Sequence, residues 1–170
     1  IEVLDGDLIT GVLKKDGFFE VKTRAGKTLE TKTILVASGS RRKKLGVPGE
    51  KELDGKGVAY CSTCDAPIFK DKTVAVVGGG NAGLEAVLDL FPYASKIYLL
   101  EFTDALKGDP LTQEKIKANP KAEIIFNAKT LEILGDKFMN GLKYEDQKTK
   151  ETKELKLDGF FVEIGSVPNT

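Results

Sequence analysis

The sequence contains no histidine and no tryptophan, and only two cysteines, in 170 residues. Without histidine there is no Ser-His or Cys-His nucleophile pair, no imidazole acid–base step and no Cys/His zinc site. Two cysteines make half a structural zinc site, so a metal would need carboxylates or a second chain. An excess of either charge is missing too. Twenty-six Lys and Arg balance 26 Asp and Glu, with no long run of one sign, which argues against nucleic acid or an anionic membrane as the main partner. No apolar run approaches the ~18 residues of a membrane span, and nothing at the N-terminus reads as a signal peptide. A cytoplasmic protein is the default expectation.

What is present is globular: 41% hydrophobic and 31% charged residues. The length suits one domain, or one domain plus a piece of another. Ile1 opens the sequence inside a strand-like stretch, so the sequence reads as a piece of a longer chain. Residues 1–36 read as short strands, "DLITGVL", "FFEVKT" and "TLETKTILVA", punctuated by Asp16-Gly17 and Ala25-Gly26. The meander runs into "TILVASGS", an apolar stretch of the parallel-strand type. The polar, glycine-bearing "RRKKLGVPGEKELDGKG" reads as a linker or boundary. From Thr73 the pattern becomes strand ("TVAVVG"), tight turn, and helix with Leu84, Val87, Leu88 and Phe91 at i, i+3, i+4, i+7, ended by Pro92. The strand "KIYLLEF", the helix "LTQEKIKANP", the strand "AEIIF", a second meander and the strand "FFVEIG" follow. The spacing allows right-handed crossovers.

Gly78, Gly80 and Gly83 in "VVGGGNAGLEA" satisfy G-x-G-x-x-G. The bare pattern is weak, and a tight turn that binds nothing has the same sequence. Here it follows an apolar strand and opens an amphipathic helix, the context a dinucleotide requires. Gly78 makes the sharp turn, Gly80 lets the backbone approach a pyrophosphate, and Gly83 brings helix and strand together. Gly79, Asn81 and Ala82 complete the candidate cofactor loop. Glu101 ends the next strand, 18 residues beyond Gly83, where a carboxylate accepts from the adenosine ribose 2′-OH and repels a 2′-phosphate. Phe102, Thr103 and Asp104 follow it rather than Arg or Lys. The reading is NADH over NADPH, with a plain surface glutamate as the alternative.

Cys61 and Cys64 stand two residues apart in "YCSTCDAP", with Asp65 directly after. That gap lets two thiols share one helical turn within disulfide reach. A helix N-terminus favours a thiolate. In a chain without export signals such a pair is more often catalytic than structural. An inert pair and a metal half-site remain the alternatives. A dinucleotide turn and a dithiol in one chain ordinarily need a flavin between hydride and thiol chemistry.

"ILVASGS", "LGVPGE", "VAYCSTCD", "VAVVGGGNAG" and "EIGSVPNT" together resemble the low-molecular-weight thioredoxin reductases and the related flavoprotein subunit of alkyl hydroperoxide reductase. The likeness is clear over about residues 30–170. It implies an α/β fold: a Rossmann-like three-layer dinucleotide-binding domain with a β-meander, plus a partial strip of an FAD domain made of a meander and one parallel strand. The boundaries it suggests are 1–45 for the FAD-domain strip, 46–60 for a linker, 61–164 for the NAD(P)H domain with the C-x-x-C pair, and 165–170 for the return. By position, Cys64 would face the flavin, Cys61 would exchange with a partner's disulfide, and Asp65 would protonate the departing thiolate. Ser38 and Gly39 would lie near FAD, and Ile164 and Gly165 near the nicotinamide. "LLEF" and "DALKGD" look more like the hydroperoxide reductase flavoprotein, which uses NADH.

The resemblance implies an NADH-dependent, homodimeric flavoprotein disulfide reductase acting on a thioredoxin-like or peroxiredoxin-system disulfide protein. An NADPH-dependent thioredoxin reductase is the first alternative. A redox-sensing NAD-binding module without turnover is the second. The family's own FAD fingerprint would precede residue 1 and its closing segment would follow residue 170, so this chain alone is expected to bind FAD weakly or not at all.

Overall fold

The computed structural model describes residues 2–169, which form two units, residues 2–39 and Ser40–Asn169. The first is an antiparallel meander of β1 (Ile9–Lys15), β2 (Phe18–Thr23) and β3 (Thr28–Thr31), in spatial order β1-β2-β3. The glycine turns at Gly17 and Gly26 separate its strands, as their sequence spacing anticipated. The apolar run after β3 does not become the expected parallel strand. Residues 33–39 pair with no other strand among the described residues, and Leu35 is 92% exposed and Val36 68%. Hydrophobicity proposes a buried strand, but a strand exists only where a neighbour completes its backbone hydrogen bonds.

The second unit begins with β4 (Ser40–Arg42), β5 (Val58–Ala59) and the one-turn helix α1 (Ser62–Asp65). β6 (Thr73–Val77), α2 (Asn81–Leu90), β7 (Lys96–Leu100), α3 (Pro110–Ala118) and β8 (Ala122–Ile125) follow as two successive βαβ crossovers. β9 (Ala128–Gly135), β10 (Met139–Asp146) and β11 (Thr152–Lys156) make an antiparallel meander, and β12 (Gly159–Val162) and β13 (Ser166–Pro168) close the unit. β5, β12, β6, β7 and β8 lie side by side in that order, all parallel. β13 pairs antiparallel with β4.

Two cores sandwich the parallel sheet. On one face Val74, Val76 and Phe161 pack with Leu84, Val87 and Leu90 of α2 and Ile116 of α3. On the other, Ala75, Val77, Phe160 and Val162 pack with Ile133, Met139, Leu142 and Tyr144 of the meander. Successive residues of β6 therefore feed opposite cores, which is why this strand reads as unbroken Val and Ala rather than alternating. Leu84 and Val87 lie in the core of α2 as expected, but Ala86 and Leu90 join them, while Leu88 and Phe91 are only partly buried. Phe160 and Phe161 are fully buried, and truncating either to Ala removes about 3–5 kcal/mol of stability.

The stretch read as a linker is tied down. The Glu50 carboxylate accepts from the amides of Leu45 (3.0 Å) and Gly46 (2.7 Å) and from the Tyr60 hydroxyl (2.9 Å). The Pro48 carbonyl accepts from Ile133 N–H of β9 at 2.9 Å. No helix among the described residues is long and apolar enough to cross a membrane.

Candidate functional site

β6 delivers the chain to Gly78, whose φ of +118° belongs to a region that side chains rarely adopt. A Cβ on Gly78 would also run into the Glu163 carbonyl, and one on Gly83 into the carbonyl of Gly78 itself. These two glycines are needed for the protein's own packing. Gly80 differs. It is the N-cap of α2, has an ordinary φ of −84°, makes no side-chain cap, and a Cβ there meets nothing within 4 Å. Its glycine is unexplained by the protein alone and fits a ligand that must approach the backbone closely. The free amides at the start of α2, together with the helix dipole, supply the anion site such a ligand needs.

Glu101, just after β7, is buried and aimed at this turn. One oxygen, Oε2, accepts from Gly79 N–H at 2.6 Å. The other, Oε1, accepts from Thr103 N–H at 2.9 Å and from its hydroxyl at 2.7 Å. Burial pushes the Glu101 pKa up and is the largest single influence. The Thr103 hydroxyl and the Thr103 and Gly79 amides, helped by Lys107, outweigh it, so the carboxylate is held below the usual glutamate range. The amides of Lys107 and Gly108 donate to Gly79 O at 2.8 and 3.1 Å. Gln147, at the end of the second meander's hairpin, donates to Phe102 O at 2.6 Å and fixes the other side of the loop.

Gly78, Gly79, Gly80, Ala82, Glu101, Phe102, Ile164 and Gly165, eight of the residues singled out from sequence, share one open groove of about 370 Å³ with Val77, Lys107 and Glu163. Asn81 turns elsewhere: its Oδ1 accepts from Asp109 N–H at 2.8 Å, steadying the start of α3. Gly83 sits behind the turn. Ser38 and Gly39 end the other unit.

The motif reading missed Thr103, Lys107 and Glu163. Thr103 and Lys107 sit just past the strand end, where the dinucleotide pattern asks only for a basic side chain directly after the acid, and Lys107 lies six residues beyond Glu101. Glu163 directly precedes the Ile164-Gly165 pair. It is buried and accepts from Arg42 Nη1 at 3.0 Å. Burial pushes its pKa up, and the Arg42 guanidinium opposes this while Asp89 and Glu85 add to it.

Cys61 and Cys64 form a disulfide with their Cα atoms 5.4 Å apart. Cys61 is the N-cap of α1, and its Sγ accepts from Cys64 N–H at 3.3 Å. Arg42, Tyr60, Cys61 and Asp65 line a cavity of about 420 Å³, so the acid that follows the pair shares a solvent space with Cys61. Burial above all, and the neighbouring Glu50, push the Tyr60 phenol up to about 12 despite the opposing Lys44 ammonium, which lies 3.3 Å from its ring centre. No group of three or more metal-binding side chains occurs among the described residues.

The pyridine nucleotide-disulphide oxidoreductase family model matches residues 1–170. The alkyl hydroperoxide reductase F subunit of Staphylococcus epidermidis is 42% identical over all 170 residues, which is 34% of that protein. Its counterpart in Staphylococcus aureus matches to the same extent. Among solved structures, the thioredoxin reductase of Lactococcus lactis matches with a TM-score of 0.82 at 29% identity, over 95% of this chain and 53% of that one. The thioredoxin reductase of T. acidophilum matches with a TM-score of 0.82 at 35% identity, over 96% and 54%. The chain thus spans 34% of the length of the curated relatives it matches.

Proposed function

Because the chain belongs to the pyridine nucleotide-disulphide oxidoreductase family, we propose that the whole protein is an NADH-dependent flavoprotein disulfide reductase with Cys61–Cys64 as its redox-active disulfide. Its partner in this reading is a thioredoxin-like protein or a disulfide protein of a peroxiredoxin system, and the enzyme is a homodimer. The observation that carries it is one groove built from three distant segments: an open Gly80 at a helix N-terminus, an ionised Glu101, and Ile164-Gly165. When bound, the dinucleotide supplies a two-electron donor and FAD the relay to thiol chemistry.

The amides at the start of α2, beside Gly79 and Gly80, hold the pyrophosphate. Glu101 accepts a ribose hydroxyl. A carboxylate offers about four lone-pair sites, and three of its sites are already taken by Gly79 and Thr103, which leaves one in a fixed direction. Ile164 and Gly165 flank the nicotinamide end. At the disulfide, Cys61 exchanges with the partner, Cys64 faces the flavin, and Asp65 returns a proton to the leaving thiolate. Ser38 and Gly39 are assigned to FAD. The described residues contain one glycine-rich strand–turn–helix, so they offer no matching cradle for a second dinucleotide.

Lys107 favours a second reading, with NADPH as donor, because it brings a cation into the same groove as Glu101. Anaerobic titration of the full-length protein with each cofactor separates the two. The proposal expects NADH to bleach the flavin and expose two thiols, at Cys61 and Cys64, at concentrations about tenfold below those of NADPH. Preference for NADPH overturns the cofactor choice. Failure of both cofactors to release thiols overturns the reductase and leaves a redox-sensing NAD-binding module.

A further inference from the structure

The two residues between the cysteines are tied to the dinucleotide helix by a single atom. Ser62 Oγ donates to Asp89 Oδ2 at 2.8 Å, and Thr63 Oγ1 donates to the same oxygen at 3.2 Å. Asp89 lies in the last turn of α2, which carries no basic residue. The helix's own carbonyl dipole disfavours an anion there. Among the described residues Asp89 forms no ion pair. A half-buried carboxylate at the wrong end of a helix, bonded among the described residues only to the two hydroxyls inside a C-x-x-C loop, is not explained by the stability of α2.

Its effect on the thiols follows from donor counting. A hydroxyl has one proton to donate, and both Ser62 and Thr63 spend theirs on Asp89. Among the described residues, the only hydrogen bond to either sulfur comes from Cys64 N–H to Cys61 Sγ. Arg42, the cation in the Cys61 cavity, donates to Glu163. Two acids adjoin the pair: Asp65, directly after Cys64 on α1, and Asp89, bonded to both residues between the cysteines. With both hydroxyls committed, a thiolate formed here receives no side-chain hydrogen bond among the described residues and lies beside the Asp89 charge.

We infer that Asp89 is a positioning residue for the redox pair: by holding the Ser62 and Thr63 hydroxyls on one carboxylate oxygen, it keeps both donors from the reduced cysteines and makes them a stronger reductant. The inference rests on Cys61–Cys64 being redox-active, as proposed above. Reduction by dithiothreitol is a balanced exchange of two electrons and two protons. The Cys61–Cys64 bond breaks and a disulfide closes in the reagent. The reagent's two thiol protons pass to the cysteines, one of them on to solvent where a cysteine remains a thiolate. Withholding donors raises the energy of that thiolate and pulls the equilibrium toward the disulfide.

The full-length protein is equilibrated, without added dinucleotide, with mixtures of reduced and oxidised dithiothreitol at pH 7, and the thiols of Cys61 and Cys64 are counted by alkylation and peptide mass spectrometry. Asp89→Ala frees both hydroxyls and removes the charge. It is expected to shift the equilibrium about tenfold toward the dithiol, about 30 mV for a two-electron couple. Asp89→Asn keeps the acceptor oxygen and is expected to shift it about threefold, from the charge alone. It also carries the test if Asp89→Ala does not fold. In a Ser62→Ala/Thr63→Val background, Asp89→Ala is expected to produce only that smaller shift. A residue that merely stabilised α2 would move the melting temperature without this dependence on the hydroxyls. Four outcomes overturn the inference: an Asp89→Ala equilibrium within twofold of the parent, an unchanged equilibrium in Asp89→Asn, an equal Asp89→Ala shift without the hydroxyls, or a shift toward the disulfide. No dinucleotide is present, so a failed NADH reading leaves this result standing, whereas a disulfide that dithiothreitol cannot reduce overturns both.

Discussion

The amide of Gly79 donates to the carboxylate of Glu101 at 2.6 Å, across 22 residues of sequence. This bond joins the glycine turn to the end of the neighbouring strand, so the two halves of the dinucleotide signature form one preassembled unit. A ligand entering the groove meets an acid whose position is already set.

Glu101→Gln tests what that acid does. Burial raises its pKa, but the Thr103 and Gly79 donors outweigh burial and hold it low. A carboxyl with a lowered folded-state pKa contributes stability that is present above its unfolded value of 4.5 and is lost as pH falls through the lower folded value. Urea midpoints of the parent are expected to exceed those of Glu101→Gln at pH 6 and to converge with them as pH drops below 4. Calorimetric NADH affinity at pH 7 is expected to fall about tenfold in the variant.

Gly80 and Gly83 separate ligand binding from folding. An Ala at Gly80 meets nothing within 4 Å, so Gly80→Ala is expected to melt within about 3 °C of the parent while losing most NADH affinity. An Ala at Gly83 overlaps the Gly78 carbonyl, whose carbon would lie 2.8 Å from the new Cβ. Gly83→Ala is therefore expected to lose roughly 3 kcal/mol of stability in urea unfolding. Equal melting temperatures for the two variants would contradict this division of roles.

Glu163 titrates in the opposite sense to Glu101. Burial raises its pKa, and Arg42 only partly compensates. An acid with a raised folded-state pKa binds its proton more tightly when folded, so its contribution is favourable below its unfolded value of 4.5 and declines as pH climbs through the folded value. Glu163→Gln is expected to gain stability relative to the parent between pH 4 and pH 7. Paired urea titrations at both pH values read this directly.

Asp65 and the cysteines are separable in the full-length protein. Cys61→Ser and Cys64→Ser are each expected to abolish reduction of a disulfide protein. Asp65→Asn is expected to slow it by about a hundredfold, the lower range for a lost acid–base group, with calorimetric NADH affinity unchanged. A drop in NADH affinity in Asp65→Asn would assign the residue a structural part instead.

Much of this arrangement was legible one segment at a time. β6, α2, β7, α3 and β8 appear in the sequence as alternating periods of apolar residues, because buried strands and amphipathic helices each leave their own spacing. The glycine turn was legible because close backbone approach leaves glycine as the one solution at Gly78 and Gly83. The strand expected in "TILVASGS" did not form. Its residues carry the right propensity, but pairing depends on a neighbour that no local pattern encodes. β4 and β13 were missed for the converse reason: "SRR" and "SVP" show no strand pattern, and their mutual hydrogen bonds alone make them a ribbon.

The sequence by itself determined the chemistry available: no imidazole, one dithiol with an acid beside it, and one glycine turn with an acid 18 residues beyond. Residue identity and short-range spacing suffice for that. Only the tertiary structure decided which groups meet: Glu101 on the Gly79 amide, Arg42 on Glu163, Lys107 in the groove, and the Ser62 and Thr63 hydroxyls on Asp89. Each of these joins segments whose separation is fixed by the packing of the parallel sheet between its two cores. A side chain's charge state and free donors depend on that packing, so they could not be read from the chain in order.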